Sequence, residues 1–396
     1  MLTLSVEVAF MAPVDTAHQS HRVGPAGQAR QAWADQLKVV LVVGVIVAHV
    51  TIAWTGVGNW VFTEEPVREP LFSLLVLASG GSLFGLAVFF MIAGMFTPRS
   101  LESKGLRRFL VDRTLRLGVP MAFFVVVLAP FVEWADPERA GWDRGFAAYT
   151  VEVVWWSWPM PPAWGPTWFL AVLLLFSVVY AVARQVVPRR PEATPLRRRH
   201  RVAAATAVAL VSWLVRVEIP VGEEVGRLAL GQAPAWITGF TLGVVGAERG
   251  WFDPIPPAIA RWARRVGLTA IVSAALVIGA AGALGADLDD FAGNGTWHSL
   301  VLAIIEGALV VSMPLWLVDV FRRRFDHQGR AAREASRAAF AAFVVHQIVL
   351  VGLVLASHAV VWPPEVEWLG VAILGVLVSF GVGALVARIP GIGRFV

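Results

Sequence analysis

The sequence predicts an all-α polytopic membrane protein with about ten transmembrane helices and both termini in the cytoplasm. The chain has 396 residues, of which 57% are hydrophobic and only 15% charged, and its mean hydropathy is +0.67. A soluble chain carries roughly a quarter charged residues. Apolar segments of about 20 residues, the length that crosses the hydrocarbon layer, recur along the chain. Their connecting loops alternate between basic and acidic, as the positive-inside rule requires.

The charge balance and the cysteine count restrict the partners and the kinds of functional site that the protein can have. The net charge of +5 reflects arginine rather than lysine, since only Lys38 and Lys104 occur. In a membrane chain this excess marks cytoplasmic loops, so no nucleic-acid partner is predicted. Zero cysteines exclude disulfides, thiolate catalysis, iron–sulfur clusters and cysteine-bound zinc.

The ten predicted spans follow one another along most of the chain, from residue 37 to residue 388. They cover roughly residues 37–55, 71–96, 116–134, 166–187, 202–218, 228–247, 266–285, 298–320, 337–358 and 368–388.

The loops after the second, fourth, sixth and eighth spans are basic, and each holds at least four arginines. The intervening loops carry acidic residues instead. This alternation is unbroken, which predicts an even number of spans. Examples are the basic cluster Arg197, Arg198, Arg199 and Arg201 and the acidic loop Asp287, Asp289 and Asp290.

The segments outside the spans divide the chain into three parts. Residues 1–34 are predicted to be a disordered cytoplasmic tail, residues 35–390 the transmembrane domain, and residues 391–396 a short cytoplasmic tail. The longest outer loop, 135–163, is rich in tryptophan and proline. This composition is typical of an interfacial or re-entrant segment over the outer mouth.

His49 is the first candidate for chemistry at membrane depth. It lies eleven residues after Lys38, which places it about 16 Å deeper on nearly the same helix face. Imidazole is the side chain of this span that can move a proton near pH 7. The alternative is a structural histidine that hydrogen-bonds a neighbouring helix.

Arg113 and Arg116 precede the third span and are three residues apart, which predicts that they face the same way. Guanidinium pairs at the cytoplasmic surface suit phosphate oxygens. The alternative is a membrane anchor that contacts lipid phosphates.

Two further ionisable residues lie within predicted spans, where a charged or polar group requires a partner. His346 is predicted at a depth comparable to that of His49, and a packing role is equally compatible with its residue type. Glu306 is expected to pair with an arginine or histidine from another helix.

Several motifs are absent from the sequence. It contains no GxxxxGK[ST] nucleotide loop, no G-x-S-x-G elbow and no HExxH zinc motif. No metal site is predicted, and ATP-driven transport and serine hydrolysis are disfavoured.

Several segments occur in a defined order between residues 35 and 390. Together they resemble the integral-membrane acyltransferase-3 family, which includes polysaccharide O-acyltransferases and glucan succinyltransferases. The opening D-x-L-(R/K)…H pattern is matched by Asp35 to His49, and an F-F-x-x-S-G pattern by 89–94 with Ala93 at the serine position. The remaining matches are the run Ser100…Pro120 that contains Arg113 and Arg116, the G-P-x-W-F-L block with Trp168, the segment Arg216…Gly222, and Phe340-x-x-Phe343-x-x-His346, with phenylalanines where tyrosines are usual.

The resemblance implies an O-acyltransferase that uses acyl-CoA as donor substrate and holds no permanent cofactor. His49 is then the general base, while Lys38, Arg113 and Arg116 bind the donor. Glu306, His346 and Trp168 support the site. The implied partners are acyl-CoA, the bilayer, and a glycan, glycolipid or other extracytoplasmic hydroxyl acceptor, and the implied location is the bacterial inner membrane.

Two alternatives remain open from the sequence. A small-molecule transporter would use the same polar residues without bond formation, and it predicts inverted repeats and broken helices. A structural or signalling protein would keep the family fold without activity. The acyl group, acetyl or succinyl, is not distinguished by any residue.

Overall fold

The computed structural model describes residues 32–55, 81–136, 142–187, 194–285, 288–327 and 329–391. Within these ranges the chain is helical and forms no strand beyond an isolated bridge between Val225 and Leu228. The predicted all-α polytopic fold is confirmed. Residues 1–31 of the predicted N-terminal tail, 71–80 of the second predicted span and 392–396 of the C-terminal tail lie outside the described residues.

The described part of the chain contains eleven helices. They are α1 (Ala32–Thr55), α2 (Gly81–Lys104), α3 (Leu106–Trp134), α4 (Gly145–Tyr149, continued as a π-helix over Thr150–Trp155), α5 (Trp168–Val186), α6 (Arg198–Glu218), α7 (Ala233–Glu248), α8 (Pro257–Ala283), α9 (Trp297–Arg324), α10 (Arg330–Ser357) and α11 (Pro364–Ala387). The first helix therefore begins at Ala32, and it buries Trp33.

Nine of the helices in the described ranges are long and apolar enough to cross a membrane. They correspond to nine of the ten predicted spans. The remaining one, 228–247, is matched by α7, which has 16 residues and follows the 3₁₀ turn Leu230–Gln232. A 16-residue α-helix is about 24 Å long, and a three-residue 3₁₀ turn adds about 6 Å. Together they reach the thickness of a hydrocarbon core.

Helix α3 is interrupted by two π-helical turns, Thr114–Gly118 and Phe124–Leu128. A π turn shifts the i→i+4 bonding pattern and opens the backbone to outside partners. The indole of Trp155 donates a 2.9 Å hydrogen bond to the carbonyl of Val125 in the second π turn. The tryptophan-rich segment predicted over 135–163 therefore contains a short helix, α4, packed on α3. Trp156 and Trp158 of this segment stay exposed, as interfacial tryptophans do.

Helices α9 and α10 form the centre of the bundle. About 72% of the central window of α9 and 67% of that of α10 are buried, against 22% for α6 and α8. Helix α9 packs against α1, α2, α6 and α8, while α10 packs against α1 and α11. Consequently most positions in the central part of α9 and α10 face other helices rather than lipid.

Contacts between loops collect the basic segments at one end of the bundle, here called the arginine-rich end. The amide of Gln36 donates to the carbonyls of Phe325 and His327, joining the start of α1 to the end of α9. Asp253 contacts both Arg99 and Arg322 at the same end.

The acidic loops meet at the opposite end, here called the acidic end. The backbone nitrogen of Val221 donates to the carbonyl of Ala292, and the indole of Trp164 donates to the carbonyl of Arg227. The alternation read from the sequence thus corresponds to two spatially separate ends.

Helices α2 and α7 approach each other at backbone distance. A Cβ added at Gly243 would lie 2.1 Å from the carbonyl oxygen of Met91, and one at Gly239 would lie 2.4 Å from that of Ala87. Small residues permit this approach, because association in a membrane depends on close van der Waals packing.

We therefore expect Gly243→Ala to destabilise the protein, because the added methyl meets rigid backbone. Overpacking of this kind costs about 1–3 kcal/mol. Thermal unfolding in detergent, followed by tryptophan fluorescence, measures the effect. Gly279→Ala on α8 is the matched control, since a Cβ there meets nothing within 4 Å. Equal unfolding temperatures for the two variants would contradict the close-packing account.

Candidate active site

The two membrane-depth histidines are in direct contact. Nε2 of His346 on α10 lies 3.0 Å from Nδ1 of His49 on α1, and the two rings stack with centroids 4.9 Å apart. His346 is fully buried and His49 is partly buried. Residues almost 300 positions apart in the sequence therefore form one polar unit inside the bundle.

The hydrogen bonds of this pair define its protonation pattern. Nδ1 of His346 lies 2.6 Å from the carbonyl oxygen of Phe343. A carbonyl only accepts, so this nitrogen carries the hydrogen. In a neutral His346, Nε2 is then an acceptor, and Nδ1 of His49 must be the donor to it. The lone pair of a neutral His49 is consequently on Nε2, the position that a general base needs.

A chain of aromatic rings from three helices begins at His346. The ring of Phe343 packs on His346 at 5.7 Å and on Phe169 of α5 at 5.9 Å. Phe169 in turn contacts Phe90 of α2 at 4.7 Å. These ring contacts link α10 to α5 and α5 to α2.

Trp168 lies at the edge of this aromatic cluster. It stacks on Trp236 of α7 with ring centroids 4.5 Å apart and meets Phe169 edge-on at 6.4 Å. It thus belongs to the aromatic cluster that reaches His346 through Phe169 and Phe343.

The turn before α5 packs at Gly165 against Gln347, the residue that follows His346 on α10. Its φ is +41°, and a Cβ there would lie 2.2 Å from Oε1 of Gln347 and 2.6 Å from the ring of Phe124. A glycine is required at this position for both reasons. The turn therefore packs directly against α10, the helix that carries His346.

Two of the residues predicted to bind a donor meet neighbouring residues of α2. Nη2 of Arg113 lies 3.4 Å from the hydroxyl of Thr97, which is buried and donates to the carbonyl of Ala93. The ammonium of Lys38 lies 5.7 Å from the ring of Phe96. Lys38 also contacts Asp35 at 3.5 Å and leaves 44% of its side chain exposed.

Arg116 does not share the environment of Arg113. Its Nε donates a 3.0 Å hydrogen bond to Asp112, which also accepts from Lys104 at 2.6 Å, and its side chain is 59% exposed. The π turn that begins at Thr114 adds a residue to the helical turn. The two guanidinium groups thus have different partners, Thr97 for Arg113 and Asp112 for Arg116. The expectation that they face the same way stays a prediction.

Glu306 forms a fully buried ion pair with Arg216 of α6. Nη2 of Arg216 lies 2.7 Å from Oε1 of Glu306, and the two side chains are 0% and 1% exposed. Nε of Arg216 donates to the carbonyl of Gly231, and the carbonyl of Arg216 accepts from the backbone of Asn294. The pair therefore joins α6 and α9 to two loops at the acidic end. It lies in different helices from the histidines.

Sequence reasoning did not assign Arg216, Trp236 or Thr97 to the site. Arg216 could have been found from the sequence, because it is an arginine within an apolar segment and Glu306 is an acid within another. Two opposite charges in membrane segments are expected to pair. Trp236 and Thr97 have residue types that are common in membrane helices, so their roles follow only from tertiary contacts.

Breaking the buried pair should strongly destabilise the protein. Glu306→Ala leaves a buried guanidinium without its counter-ion, which costs about 3–5 kcal/mol. The double variant Arg216→Met/Glu306→Leu should recover a large part of this loss, because no charge then stays buried. Unfolding of the single and double variants in detergent measures this loss of stability and its recovery. A single variant as stable as the parent protein would contradict the structural role of the pair.

No group of three histidine, aspartate or glutamate side chains within the described ranges is placed to hold a metal ion. A family model described as an acyltransferase domain, acyltransferase-3, matches residues 31–388. Comparison with curated proteins finds no match, and comparison with solved structures finds none either.

Proposed function

The chain belongs to the acyltransferase-3 family and is a multi-pass membrane acyltransferase; from this premise we propose that it moves an acyl group from acyl-CoA to a hydroxyl. His49 is the general base of the proposed reaction. The observation that carries the proposal is the hydrogen bond between His49 and His346, which leaves the lone pair of neutral His49 on Nε2. The family also favours acyl transfer over a transporter.

In the proposed step, Nε2 of His49 takes the proton of the acceptor hydroxyl while the oxygen attacks the thioester carbonyl. The carbon–sulfur bond breaks, an ester forms, and the thiolate of coenzyme A leaves and receives the proton back from His49. A positioned base of this kind contributes about 10²- to 10⁴-fold to the rate.

His346 acts in this reaction as a positioning residue. It accepts from Nδ1 of His49, and this fixes both the tautomer and the ring orientation. When Nε2 becomes protonated, the positive charge is shared along the same hydrogen bond with His346.

The donor approaches from the arginine-rich end in this proposal. Lys38 and Arg113 flank Phe96 and Thr97 of α2 at that end, and Lys38 lies eleven residues before His49 on α1. Eleven helical residues span about 16 Å. The anionic nucleotide end of acyl-CoA would contact these cations while its pantetheine arm extends toward the histidines.

The acceptor approaches from the acidic end, beside α4 and the tryptophan-rich segment. Its class is an extracytoplasmic hydroxyl, on a glycan, a glycolipid or another molecule. With cytoplasmic acyl-CoA as donor, the acyl group crosses the membrane during transfer. The location that fits this proposal is the bacterial inner membrane.

We expect His49→Ala to lower acyl transfer by about 10²- to 10⁴-fold, because the proton of the acceptor hydroxyl loses its base. In the assay, inverted vesicles from an expressing strain receive labelled acetyl-CoA or succinyl-CoA. The label retained in the non-protein fraction is then measured. Normal insertion and unchanged binding of coenzyme A are required of the variant. Undiminished labelling would exclude His49 as the base.

His346→Gln and His346→Leu should differ in the same assay. Glutamine offers an amide oxygen near the position of Nε2 and still accepts from His49, whereas leucine does not. We therefore expect the glutamine variant to keep several-fold more activity than the leucine variant at equal expression, with the change in kcat rather than KM. Equal loss in both would indicate that His346 only packs.

Arg113→Ala should weaken coenzyme A binding more than Arg116→Ala, because Arg116 is already paired with Asp112. Loss of one charge-assisted contact corresponds to about tenfold in Kd. Calorimetry on the purified protein in detergent measures it. Arg333→Ala, which removes an exposed arginine from the same end, is the matched control. Unchanged affinity in both test variants would remove the donor role of this segment.

A further inference from the structure

A second basic site lies at the arginine-rich end, between the beginnings of α6 and α8. The guanidinium carbon of Arg201 on α6 lies 4.1 Å from the ring centre of Trp262 on α8. The indole of Trp251 donates to the carbonyl of Thr194 and fixes the segment before α6. We call the set Thr194, His200, Arg201 and Trp262 the α6–α8 site.

Four polar side-chain atoms of this site lack partners although they are shielded from solvent, whereas Nε2 of His200 accepts a 3.4 Å hydrogen bond from Arg199. Nε and Nη1 of Arg201, Nδ1 of His200 and the hydroxyl of Thr194 make no hydrogen bond to any described residue. Buried polar groups in proteins are nearly always satisfied, and a cluster of unsatisfied ones points to a missing ligand or water. A ligand that serves all of them must offer several hydrogen-bond acceptors.

The charge around the site indicates an anion. Five further arginines lie on the adjoining turns of α6 and α8, and none has a carboxylate within 4.0 Å among the described residues; they are Arg198, Arg199, Arg261, Arg264 and Arg265. The other basic clusters at this end contain acids. Asp253 neutralises Arg99 and Arg322, and Asp319 pairs with Arg323 around a cavity of about 260 Å³.

The position of the site selects a lipid among phosphate-bearing ligands. Helices α6 and α8 both pack on α9 through small residues, Gly307 against Ala205 and Gly267 against Met313. Their outer faces carry exposed apolar side chains such as Leu210 on α6 and Ile271 on α8. An acyl chain can lie along these faces while the headgroup meets the site. The two histidines belong to α1 and α10, and neither helix contributes a residue to this site.

We propose that the α6–α8 site binds the phosphate of an anionic phospholipid. Phosphate oxygens accept from Arg201, Thr194 and His200, and the stacking on Trp262 holds the guanidinium plane ready for them. Basic pockets between transmembrane helices on the cytoplasmic side bind anionic headgroups by the same chemistry. Such a lipid would add a link between α6 and α8 to the direct contact of Arg201 with Trp262.

The test is native mass spectrometry of the delipidated protein titrated with phosphatidylglycerol, phosphatidylcholine or coenzyme A. We expect phosphatidylglycerol to bind more tightly than phosphatidylcholine, and Arg201→Gln to weaken it about tenfold, which corresponds to one charge-assisted hydrogen bond. Arg333→Gln removes the same charge from α10 and should bind as the parent protein does. Coenzyme A binding should not change in Arg201→Gln.

Each of the following results would overturn the proposal. Equal binding of the two lipids, or equal weakening in Arg201→Gln and Arg333→Gln, would reduce the site to general surface charge. Loss of coenzyme A rather than lipid in Arg201→Gln would make it a donor site. If Arg201→Gln does not fold, Arg201→Lys keeps the charge without the stacked planar group and should still weaken phosphatidylglycerol severalfold; unchanged binding there also contradicts the proposal. None of these outcomes bears on His49.

Discussion

The hydrogen bond between His49 and His346 is the interaction on which the account of this protein depends. A polar side chain inside a helix bundle has no water to satisfy it, so it must find its partner on another helix. Here the partner of α1 is α10, one of the two most buried helices. The same bond that satisfies two imidazoles also orients one of them, so packing and chemistry have a common origin.

The same constraint accounts for the other buried polar groups. Arg216 and Glu306 satisfy each other between α6 and α9, and they hold the loops at the acidic end. Thr97 links Arg113 to the backbone of α2 near the opposite end. The His49–His346 and Arg216–Glu306 contacts join helices that are distant in sequence, which makes these residues determinants of helix arrangement as well as candidates for function.

Much of the fold could be predicted from the sequence, because hydropathy and loop charge report directly on the bilayer. The nine long spans and the two ends follow from these patterns alone. The two π turns of α3 could not be predicted, since the sequence of 106–134 is as apolar as that of a regular helix. Arg113 precedes the first of these turns, Arg116 lies within it, and the two have different partners, Thr97 and Asp112.

The candidate site was predictable in its members but not in its connections. His49, His346 and Glu306 stand out as ionisable residues at membrane depth. Their pairing depends on which helices are neighbours, and hydropathy carries no information about that. The expected similarity in depth of the two histidines is met by their contact, whereas Glu306, with its partner Arg216, belongs to a separate polar unit.

The most direct test of the central claim is ¹⁵N NMR of histidine-labelled protein in nanodiscs at neutral pH. We expect His49 and His346 both to carry hydrogen on Nδ1, with a coupling across the hydrogen bond that joins Nδ1 of His49 to Nε2 of His346. His346→Gln identifies the signals, because it removes the coupling and one ring. A His49 ring protonated on Nε2 instead, or no coupling between the two rings, would contradict the assignment of His49 as the base.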